Sequence, residues 1–392
     1  MGRTPPTVGR SGPARAGRRP PGAARCRTRS GPRCRRRHPS RHTFPGTGSC
    51  PGGGVEPPQS PPGPAGRRRL RERARSRKWS RPRGFSIPTF RISAVARILL
   101  LGSTGFLGRG VGHKILDAGH QMRVLVRDPL KAAAFKVRGA QVVVGDALNQ
   151  QAVTQAAQGV EHIISLVAVR RNRPQSYLAV NVDGPRILGQ AAQAAGVRSV
   201  VFVSAIGAKL DPHFKYFTSR WMGEQELAKT GVTGTILRFS LIIGEDGGIV
   251  KDFEKTLFGP FAIIPGSGQS QIQPILRDDA ARCIVEAVAK PELLGKIIEL
   301  GGPEVVTYET IFDWFLQARR LKKTKLKLPA AVLTPGAIAL EAVMKDPPVT
   351  PDEIKMAETP NLAAGIDSVS SQFGWRPSAP GAWAPSHWSK RA

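Results

Sequence analysis

The fold of this chain is decided by Arg97-Ile-Leu-Leu-Leu-Gly102-Ser-Thr-Gly105-Phe-Leu-Gly108. The apolar run at its start predicts a strand that is buried on both faces. Gly102 permits a tight turn, Gly105 allows a pyrophosphate to approach the backbone, and Gly108 allows the next helix to pack against the strand. The pyrophosphate would then lie on free N–H groups at the positive end of that helix. The stretch therefore predicts a dinucleotide-binding site.

From Val95 onward, apolar runs and helical patterns alternate along the chain. Six strands are predicted, at 97–101, 122–126, 141–144, 162–166, 199–203 and 233–237. Alternation with short connections is typical of an α/β fold with a doubly wound parallel sheet, the Rossmann type. We expect residues 95–240 to form the NAD(P)-binding domain. The alternation loosens after Ser240, and residues 241–385 are expected to form a smaller C-terminal α/β lobe over the carboxyl ends of the strands, where ligands bind.

Residues 1–94 differ sharply from the rest of the chain. They hold 24 of the 59 Lys and Arg residues and 16 of the 34 prolines, but only two acids, Glu56 and Glu72. Most of the net charge of +31 belongs to this segment, so it does not indicate nucleic-acid binding by the folded part. A segment this polar cannot bury enough apolar surface to offset the entropy lost on ordering. We expect a disordered tail.

Three interpretations of this tail are open. Its many arginines are typical of an organellar targeting peptide, and blocks of like charge are also typical of nucleic-acid-binding arms. The third is a translated upstream stretch, because no Met occurs between Met1 and Met122. We favour the third, since the amphipathic pattern of transit peptides is missing. With the single Cys283 outside the tail, we expect a cytoplasmic protein, or a mitochondrial or plastid one if the tail is a targeting peptide.

The sequence was also searched for a membrane-associated helix and for a metal site. No run of 18 apolar residues occurs, so no membrane-spanning helix is predicted. The apolar stretch 328–344 is interpreted as a buried helix of the C-terminal lobe, with an interfacial helix as the alternative. The seven histidines are scattered without ligand spacing, and no metal site is predicted.

The residues after the second and third strands bear on the cofactor. Arg127 follows the second strand, where an NAD-specific site usually has a carboxylate. A guanidinium suits a 2′-phosphate through charge-assisted bonds, so NADP(H) is favoured over NAD(H). Asp128 could turn inward instead, and Arg127 and Asp128 could also form a solvated pair. Asp146 ends the third strand and could accept a hydrogen bond from adenine or cap the following helix.

A candidate catalytic group consists of three residues in the second half of the Rossmann domain. Ser204 follows the fifth strand, and Tyr216 and Arg220 share one face of a predicted helix at 214–229. A nearby cation lowers the pKa of a tyrosine, and a serine hydroxyl can polarise a carbonyl group. The spacing is equally compatible with a Tyr and an Arg that merely lie along a helix surface.

Several motifs together resemble a known family. They include Leu101-Gly-Ser-Thr-Gly-Phe-Leu-Gly108, Val124-Leu-Val-Arg-Asp-Pro129, Val180-Asn-Val-Asp-Gly184, Val203-Ser-Ala205, Leu237-Arg-Phe-Ser240 and Leu300-Gly-Gly-Pro-Glu304. With these motifs the chain resembles the atypical and extended short-chain dehydrogenase/reductases, which include epimerase- and dehydratase-like proteins. It is most similar to the group containing the nucleotide-binding accessory subunit of respiratory complex I and its bacterial relatives.

The resemblance implies roles for particular residues. Five would hold the pyrophosphate, namely Gly102, Gly105, Phe106, Leu107 and Gly108. Arg127 would meet the 2′-phosphate and Asp146 the adenine, while Ser204 and Tyr216 would take the serine and tyrosine roles of a catalytic triad. One departure is evident: active members have Lys four residues after the tyrosine, and this chain has Arg220. Arg keeps the charge but not the shape of Lys.

Two functions follow from these observations. The first is an NAD(P)(H)-dependent oxidoreductase or epimerase-like enzyme that acts on a small carbonyl compound or a sugar nucleotide. The second is a catalytically weak NADP(H)-binding accessory subunit, in peripheral contact with a membrane redox complex such as a respiratory NADH:quinone oxidoreductase. Binding requires the glycine turn and Arg127, whereas catalysis also requires correct geometry at Tyr216. No nucleic-acid partner is expected for the folded domain.

Overall fold

A computed structural model describes residues 95–172, 175–344 and 347–389. The tail predicted for residues 1–94 lies outside the described residues. The strands are β1 Arg97–Leu101, β2 Gln121–Val126, β3 Gln141–Val144, β4 His162–Ser165, β5 Ser199–Ala205, β6 Gly234–Phe239, β7 Ile242–Ile243, β8 Leu257–Phe258, β9 Phe261–Pro265, β10 Gln271–Ile272, β11 Ile275–Leu276, β12 Ile297–Leu300, β13 Val306–Thr307 and β14 Thr324–Leu328.

Helices follow most of the strands. They are α1 Phe106–Asp117, α2 Ala133–Val137, α3 Gln150–Ala157, α4 Gly184–Ala194, α5 Lys215–Lys229, α6 Ile249–Lys255, α7 Arg277–Val288, α8 Tyr308–Ala318, α9 Ala330–Val343, α10 Pro351–Ala357, α11 Ser368–Phe373 and α12 Pro380–His387. A π-helical turn, Leu178–Asp183, leads directly into α4, and short 3₁₀ turns occur at Pro129–Ala132 and Pro291–Leu293.

Seven strands form one sheet in the order β12-β6-β5-β4-β1-β2-β3, and every neighbouring pair is parallel. From β1, the strands β2 and β3 are added successively towards one edge of the sheet, whereas β4, β5 and β6 are added successively towards the other edge. The strand order therefore reverses between β1 and β4. This arrangement confirms the predicted doubly wound α/β fold. The seventh strand, β12, lies in the segment 241–385, so that segment completes the sheet as well as covering it.

The apolar run of β1 explains why helices cover both faces of the sheet. Ile98 and Leu100 belong to the core that includes α1 and α7, whereas Leu99 and Leu101 belong to the core that includes α3 and α4. All four side chains are at most 2 % exposed. Because successive residues of a strand point to opposite faces, an uninterrupted apolar run requires burial on both sides.

The segment after β6 has an apolar core of its own. Phe253 of α6 packs edge-on against Phe312 of α8, with ring centroids 4.6 Å apart, and Phe315 and Trp388 belong to the same cluster. A three-stranded sheet, in the order β14-β9-β8, lies in this part of the chain. We call the residues of this core and of this sheet the cap.

Two elements differ from what the sequence predicts. The helical pattern over roughly residues 176–195 predicts one long helix, but in the structure α4 is preceded by the π-helical turn, in which each backbone bond spans one residue more than in an α-helix. The stretch interpreted as a buried helix forms α9, but of its residues only Ala337 is buried, and Val332 and Ile338 are 62 % and 56 % exposed. That interpretation was wrong, because apolar composition alone does not supply a neighbouring surface. Among the described residues no helix has the length and hydropathy needed to cross a membrane.

Candidate functional site

The glycine turn lies where the sheet order reverses. Gly102 has a φ of +83°, which L side chains rarely adopt, and a Cβ there would lie 3.2 Å from the carbonyl carbon of Leu166 after β4. A Cβ at Gly108 would lie 2.0 Å from the carbonyl oxygen of Gly102. The turn after β1 and the loop after β4 therefore adjoin, and α1 packs directly against the turn.

The N-terminus of α1 is open to an anion. Gly105 occupies the cap position with a φ of −75°, no side chain caps the helix, and its first turn contains no acid. A Cβ at Gly105 would meet only the carbonyl oxygen of Gly102, at 3.4 Å. The space beside Gly105 and the uncapped N–H groups suit a pyrophosphate, as the positive end of a helix does in general.

The side chains of Phe106 and Leu107 are apolar and packed. The Phe106 ring packs against the loop between β7 and α6, where a Cβ at Gly247 would come within 2.6 Å of it. The Arg277 guanidinium lies 5.5 Å from the centroid of the same ring. Leu107 packs against the main core and lines the cavity described below. Only the backbone groups of these two residues are therefore available to a pyrophosphate.

Arg127 is exposed, and no described side chain or backbone group forms a hydrogen bond or ion pair with it. The neighbouring Asp128 carboxylate accepts a hydrogen bond from the Leu130 N–H at 3.0 Å and caps the turn that begins at Pro129. The two side chains thus form no pair with each other, and Asp128 is engaged locally. The guanidinium at the end of β2 is left available for an anionic group.

Asp146 does not cap the helix after β3. Asn149 occupies that cap and accepts a hydrogen bond from the Ala152 N–H at 3.0 Å. One Asp146 carboxylate oxygen instead accepts a hydrogen bond from the Leu148 N–H at 2.9 Å, within the loop. The helix-cap interpretation of Asp146 was therefore wrong, because the chain continues for three residues before α3 begins.

Ser204, Tyr216 and Arg220 line one cavity of about 390 Å³. Ser204 lies near the end of β5 and Tyr216 in the first turn of α5, with Arg220 one turn later. Phe106 and Leu107 of α1 also line this cavity, so it begins at the glycine turn. The structure brings together the three residues that the sequence predicted as a group.

Two of these residues carry buried polar atoms that bond to nothing in the described part of the chain. These atoms are the Ser204 hydroxyl oxygen and the Nε and Nη1 nitrogens of Arg220. The third guanidinium nitrogen of Arg220, Nη2, donates to the carbonyl oxygen of Val203, and the group lies 5.1 Å from the Phe202 ring centroid. Burial lowers the pKa of Arg220. Buried polar atoms without a partner are costly, and such atoms are able to bind a polar ligand.

A second tyrosine and an asparagine fix the start of α5. The rings of Tyr177 and Tyr216 lie 6.2 Å apart, and the Tyr177 hydroxyl donates to the carbonyl oxygen of Arg170 at 2.7 Å. Burial raises the pKa of Tyr177. Asn181 is fully buried in the π-helical turn and donates to the carbonyl oxygen of Val169 and to Ser219 of α5, both at 2.9 Å. The Tyr177 side chain, with its raised pKa, therefore places an uncharged ring beside Tyr216.

A charged cluster that the sequence does not predict lines the same cavity. Arg170, after β4, forms a bidentate ion pair with Asp252 of α6 at 2.6 and 2.9 Å and lies 3.2 Å from Glu353 of α10. Burial lowers the pKa of Arg170, but the bond to Asp252 outweighs it and the net pKa is raised. Arg171 binds Glu353 with two bonds of 2.9 Å. These partners are 82 or more residues apart, so spacing carries no signal of them.

In the described ranges, no three or more His, Cys, Asp or Glu side chains form a group that could hold a metal ion.

The glycine turn, the reversal in strand order and the open helix terminus define a dinucleotide-binding fold. Residues 102–291 match the model of an NAD(P)H-binding family. Over this range the chain is therefore similar to NAD(P)H-binding proteins, and the similarity agrees with the nicotinamide cofactor predicted from the glycine motif.

Curated relatives extend this assignment. The chain is 30 % identical to the photosystem II assembly factor Ycf39 of Cyanophora paradoxa over 205 residues, 52 % of this chain and 63 % of the relative. It is 28 % identical to the ceramide reductase of Caulobacter vibrioides over 290 residues, 71 % of this chain and 90 % of the relative. It is 26 % identical over 211 residues to the mouse mitochondrial NADH dehydrogenase [ubiquinone] 1 alpha subcomplex subunit 9, 52 % of this chain and 56 % of the relative.

The predicted resemblance is confirmed by these relatives, and solved structures show the fold. The match spans 62 to 63 % of the length of three such assembly factors. The NADPH-dependent quinone oxidoreductase of Escherichia coli, with bound NADPH, superposes with a TM-score of 0.58 at 22 % identity, over 73 % of this chain and 98 % of that one. A nucleoside-diphosphate-sugar epimerase of Staphylococcus aureus superposes with a TM-score of 0.59 at 16 % identity, over 74 % and 99 %. Both show the same fold.

Proposed function

We propose that this protein is an NADP(H)-dependent oxidoreductase that interconverts a carbonyl compound and its alcohol. The observation that carries the proposal is the set of unpartnered buried polar atoms on Ser204 and Arg220, in the same cavity as Tyr216. In this proposal residues 95–240 hold the cofactor, and 241–385 supply most of the substrate side.

The residues fit such a cofactor. The uncapped N-terminus of α1 would bind the pyrophosphate, Asp146 has a second carboxylate oxygen for the adenine amino group, and Arg127 would pair with a 2′-phosphate. Arg127 supports NADP(H) over NAD(H), because a guanidinium offers two parallel bonds to a phosphate and Asp128 is engaged elsewhere. The bound cofactor would supply or accept the hydride.

The chain's own residues would then handle the oxygen and its proton. Ser204 would donate a hydrogen bond to the carbonyl oxygen and polarise it. Tyr216 would give that oxygen a proton during reduction and take it back during oxidation. The guanidinium of Arg220 would stabilise the tyrosinate that remains. It donates a hydrogen bond to the carbonyl oxygen of Val203, the residue before Ser204.

The replacement Tyr216→Phe tests this proposal. It removes the hydroxyl but keeps the ring beside Tyr177, so we expect NADPH affinity to stay within about twofold of wild type. Turnover of a carbonyl panel, followed through NADPH absorbance, should fall by about a hundredfold or more, the usual value of a positioned proton donor. Calorimetry without heat of binding for NADPH and NADH would refute the proposal, and so would full activity of Tyr216→Phe.

A second candidate is a cofactor-binding accessory subunit with little turnover, which rests on the similarity to the mouse NADH dehydrogenase subunit. Arg220 in place of Lys favours it, because a buried planar group is not an equivalent of an ammonium. In this case the protein would lie against a membrane redox complex in an organelle or at the inner membrane, rather than free in the cytoplasm. NADPH binding with no turnover on any carbonyl compound, together with co-purification of such a complex, would support this candidate.

A further inference from the structure

We infer that the substrate of this site is an uncharged carbonyl compound with an apolar body, such as a ketone or a quinone, and not a nucleotide sugar. This inference rests on the proposed function and names the substrate class of the same site. It is argued from the charges, the polar side chains and the apolar residues that line the cavity.

Away from the proposed reaction point, the cavity offers no unpaired cation to a diphosphate. Among its described lining residues, the charged ones are Arg170, Arg220, Asp252 and Glu353. Arg170 is neutralised by Asp252 and lies beside Glu353. Arg220, whose Nε and Nη1 bond to nothing among the described residues, belongs to the reaction point itself. A diphosphate elsewhere in the cavity would therefore leave water without a cation to compensate its charge, which is strongly unfavourable.

Four uncharged polar side chains of the wall already donate hydrogen bonds within the protein. Ser240 donates to Asn361 at 2.7 Å, and Asn361 donates to the carbonyl oxygen of Ile206 at 3.2 Å. Thr256 and Thr359 each donate to a backbone carbonyl oxygen at 2.8 Å. These donors are unavailable for sugar hydroxyl groups, which need several partners when they leave water.

Among the described residues that line this cavity, the buried polar atoms without a hydrogen bond lie at the proposed reaction point. They are the Ser204 hydroxyl and two nitrogens of Arg220, next to Tyr216. Much of the remaining wall is apolar and includes Leu166, Leu241, Ile242, Ile249, Ile272 and Met356. A cavity that offers polar partners at one point and apolar surface elsewhere fits a molecule with one carbonyl group and an apolar body.

The reaction balances with the reductant already named. The carbonyl carbon gains a hydride from NADPH, which is oxidised to NADP⁺, and the carbonyl oxygen gains a proton from the Tyr216 hydroxyl. The carbon–oxygen double bond becomes a single bond, and water returns a proton to Tyr216. A quinone would gain the same hydride and the same single proton from Tyr216, which together are the two electrons and two protons that convert it to a hydroquinone.

Calorimetry on the full chain saturated with NADP⁺ tests the substrate class without turnover. The probes are 2-decanone and 1,4-naphthoquinone, compared with UDP-glucose. We expect heat of binding for at least one apolar probe and none for UDP-glucose. If UDP-glucose binds more tightly than both, or if neither apolar probe binds, the substrate class is wrong. Absence of NADP⁺ and NADPH binding would instead refute the proposed function itself, so the two failures are distinguishable.

A pair of matched variants locates the binding. Met356→Gln replaces an apolar wall residue by a polar one of similar length and should weaken binding of the apolar probe about tenfold, the usual discrimination of an apolar pocket. Met344→Gln makes the same change outside the cavity, at a residue that is 40 % exposed, and should leave the affinity unchanged. Equal affinities for the probe in both variants would place the ligand elsewhere and overturn the inference.

Discussion

Two glycines of the same turn have separable roles, although both are small residues in one motif. Gly108 needs the absence of a Cβ for packing, since that atom would lie 2.0 Å from the Gly102 carbonyl oxygen. Gly105 has ordinary backbone angles and free space beside it, so we propose that its small size serves a ligand rather than the fold. The protein's stability and its cofactor affinity should therefore respond to different replacements.

Gly108→Ala should lower the free energy of unfolding by about 2 to 4 kcal/mol, because α1 must move away from the turn. Gly105→Ala should change it by less than about 1 kcal/mol and should still abolish tight NADPH binding by occupying the pyrophosphate position. Urea unfolding without cofactor and calorimetric titration with NADPH measure the two effects. Similar loss of stability in both variants would mean that Gly105 is a packing residue.

Arg127 should decide the choice between the two nicotinamide cofactors. Removing the guanidinium in Arg127→Ala should weaken NADPH binding by about 10- to 100-fold, the worth of charge-assisted bonds to a phosphate, and NADH binding by less than about twofold. Lys131→Ala removes another exposed cation of the same loop and serves as the control. Equal losses for NADPH and NADH in Arg127→Ala would remove Arg127 from the 2′-phosphate site.

Among the single elements, helix α9 is packed against the rest of the protein through very few side chains. Of its residues only Ala337 is buried, although the helix carries mostly apolar side chains. Such a helix contributes little to stability through packing, because its apolar atoms stay in contact with water. The free energy of unfolding should therefore be sensitive to replacements at Ala337 and nearly unchanged by replacements at Ile338.

Neighbouring Lys replacements test this difference. Ile338→Lys, at a side chain that is 56 % exposed, should change the free energy of unfolding by no more than about 0.5 kcal/mol. Ala337→Lys, at a residue that is 2 % exposed, should lower it by at least about 2 kcal/mol because it buries a charge. Denaturant titration of both variants gives the values. A large loss in Ile338→Lys would show that a surface covers this helix in solution.

At the scale of the whole molecule, one buried histidine should make stability depend on pH. His162 begins β4, is 7 % exposed and lies 2.8 Å from the Ser199 hydroxyl. Burial lowers its pKa to about 4 from the ordinary 6.5. The unfolded chain therefore binds a proton at pH values where the folded one does not. Full stability is present above pH 6.5 and is lost as the pH falls towards 4.

Replacement of this histidine should remove that part of the loss. Between pH 7 and pH 4.5 the wild-type free energy of unfolding should fall by about 2 to 3 kcal/mol more than that of His162→Asn, which keeps a polar atom for Ser199 but does not titrate. Denaturant unfolding at the two pH values gives the comparison, with the exposed His213→Asn as a control that keeps the wild-type loss. If His162→Asn loses as much as wild type, the pH dependence arises from other groups.

The sequence by itself determined the sheet and the cofactor turn. Apolar runs such as that of β1 and the glycines at 102, 105 and 108 act over neighbouring residues, and their patterns are legible without a neighbour in space. The same holds for Ser204, Tyr216 and Arg220, since a strand end and one helix face are local features. Only the tertiary structure decided that α9 is exposed, that Asn149 rather than Asp146 caps α3, and that Arg170, Asp252 and Glu353 meet in the cavity. Those outcomes depend on which distant surfaces pack together, and burial and ion pairing across 82 or more residues are properties of the packed chain rather than of any one stretch.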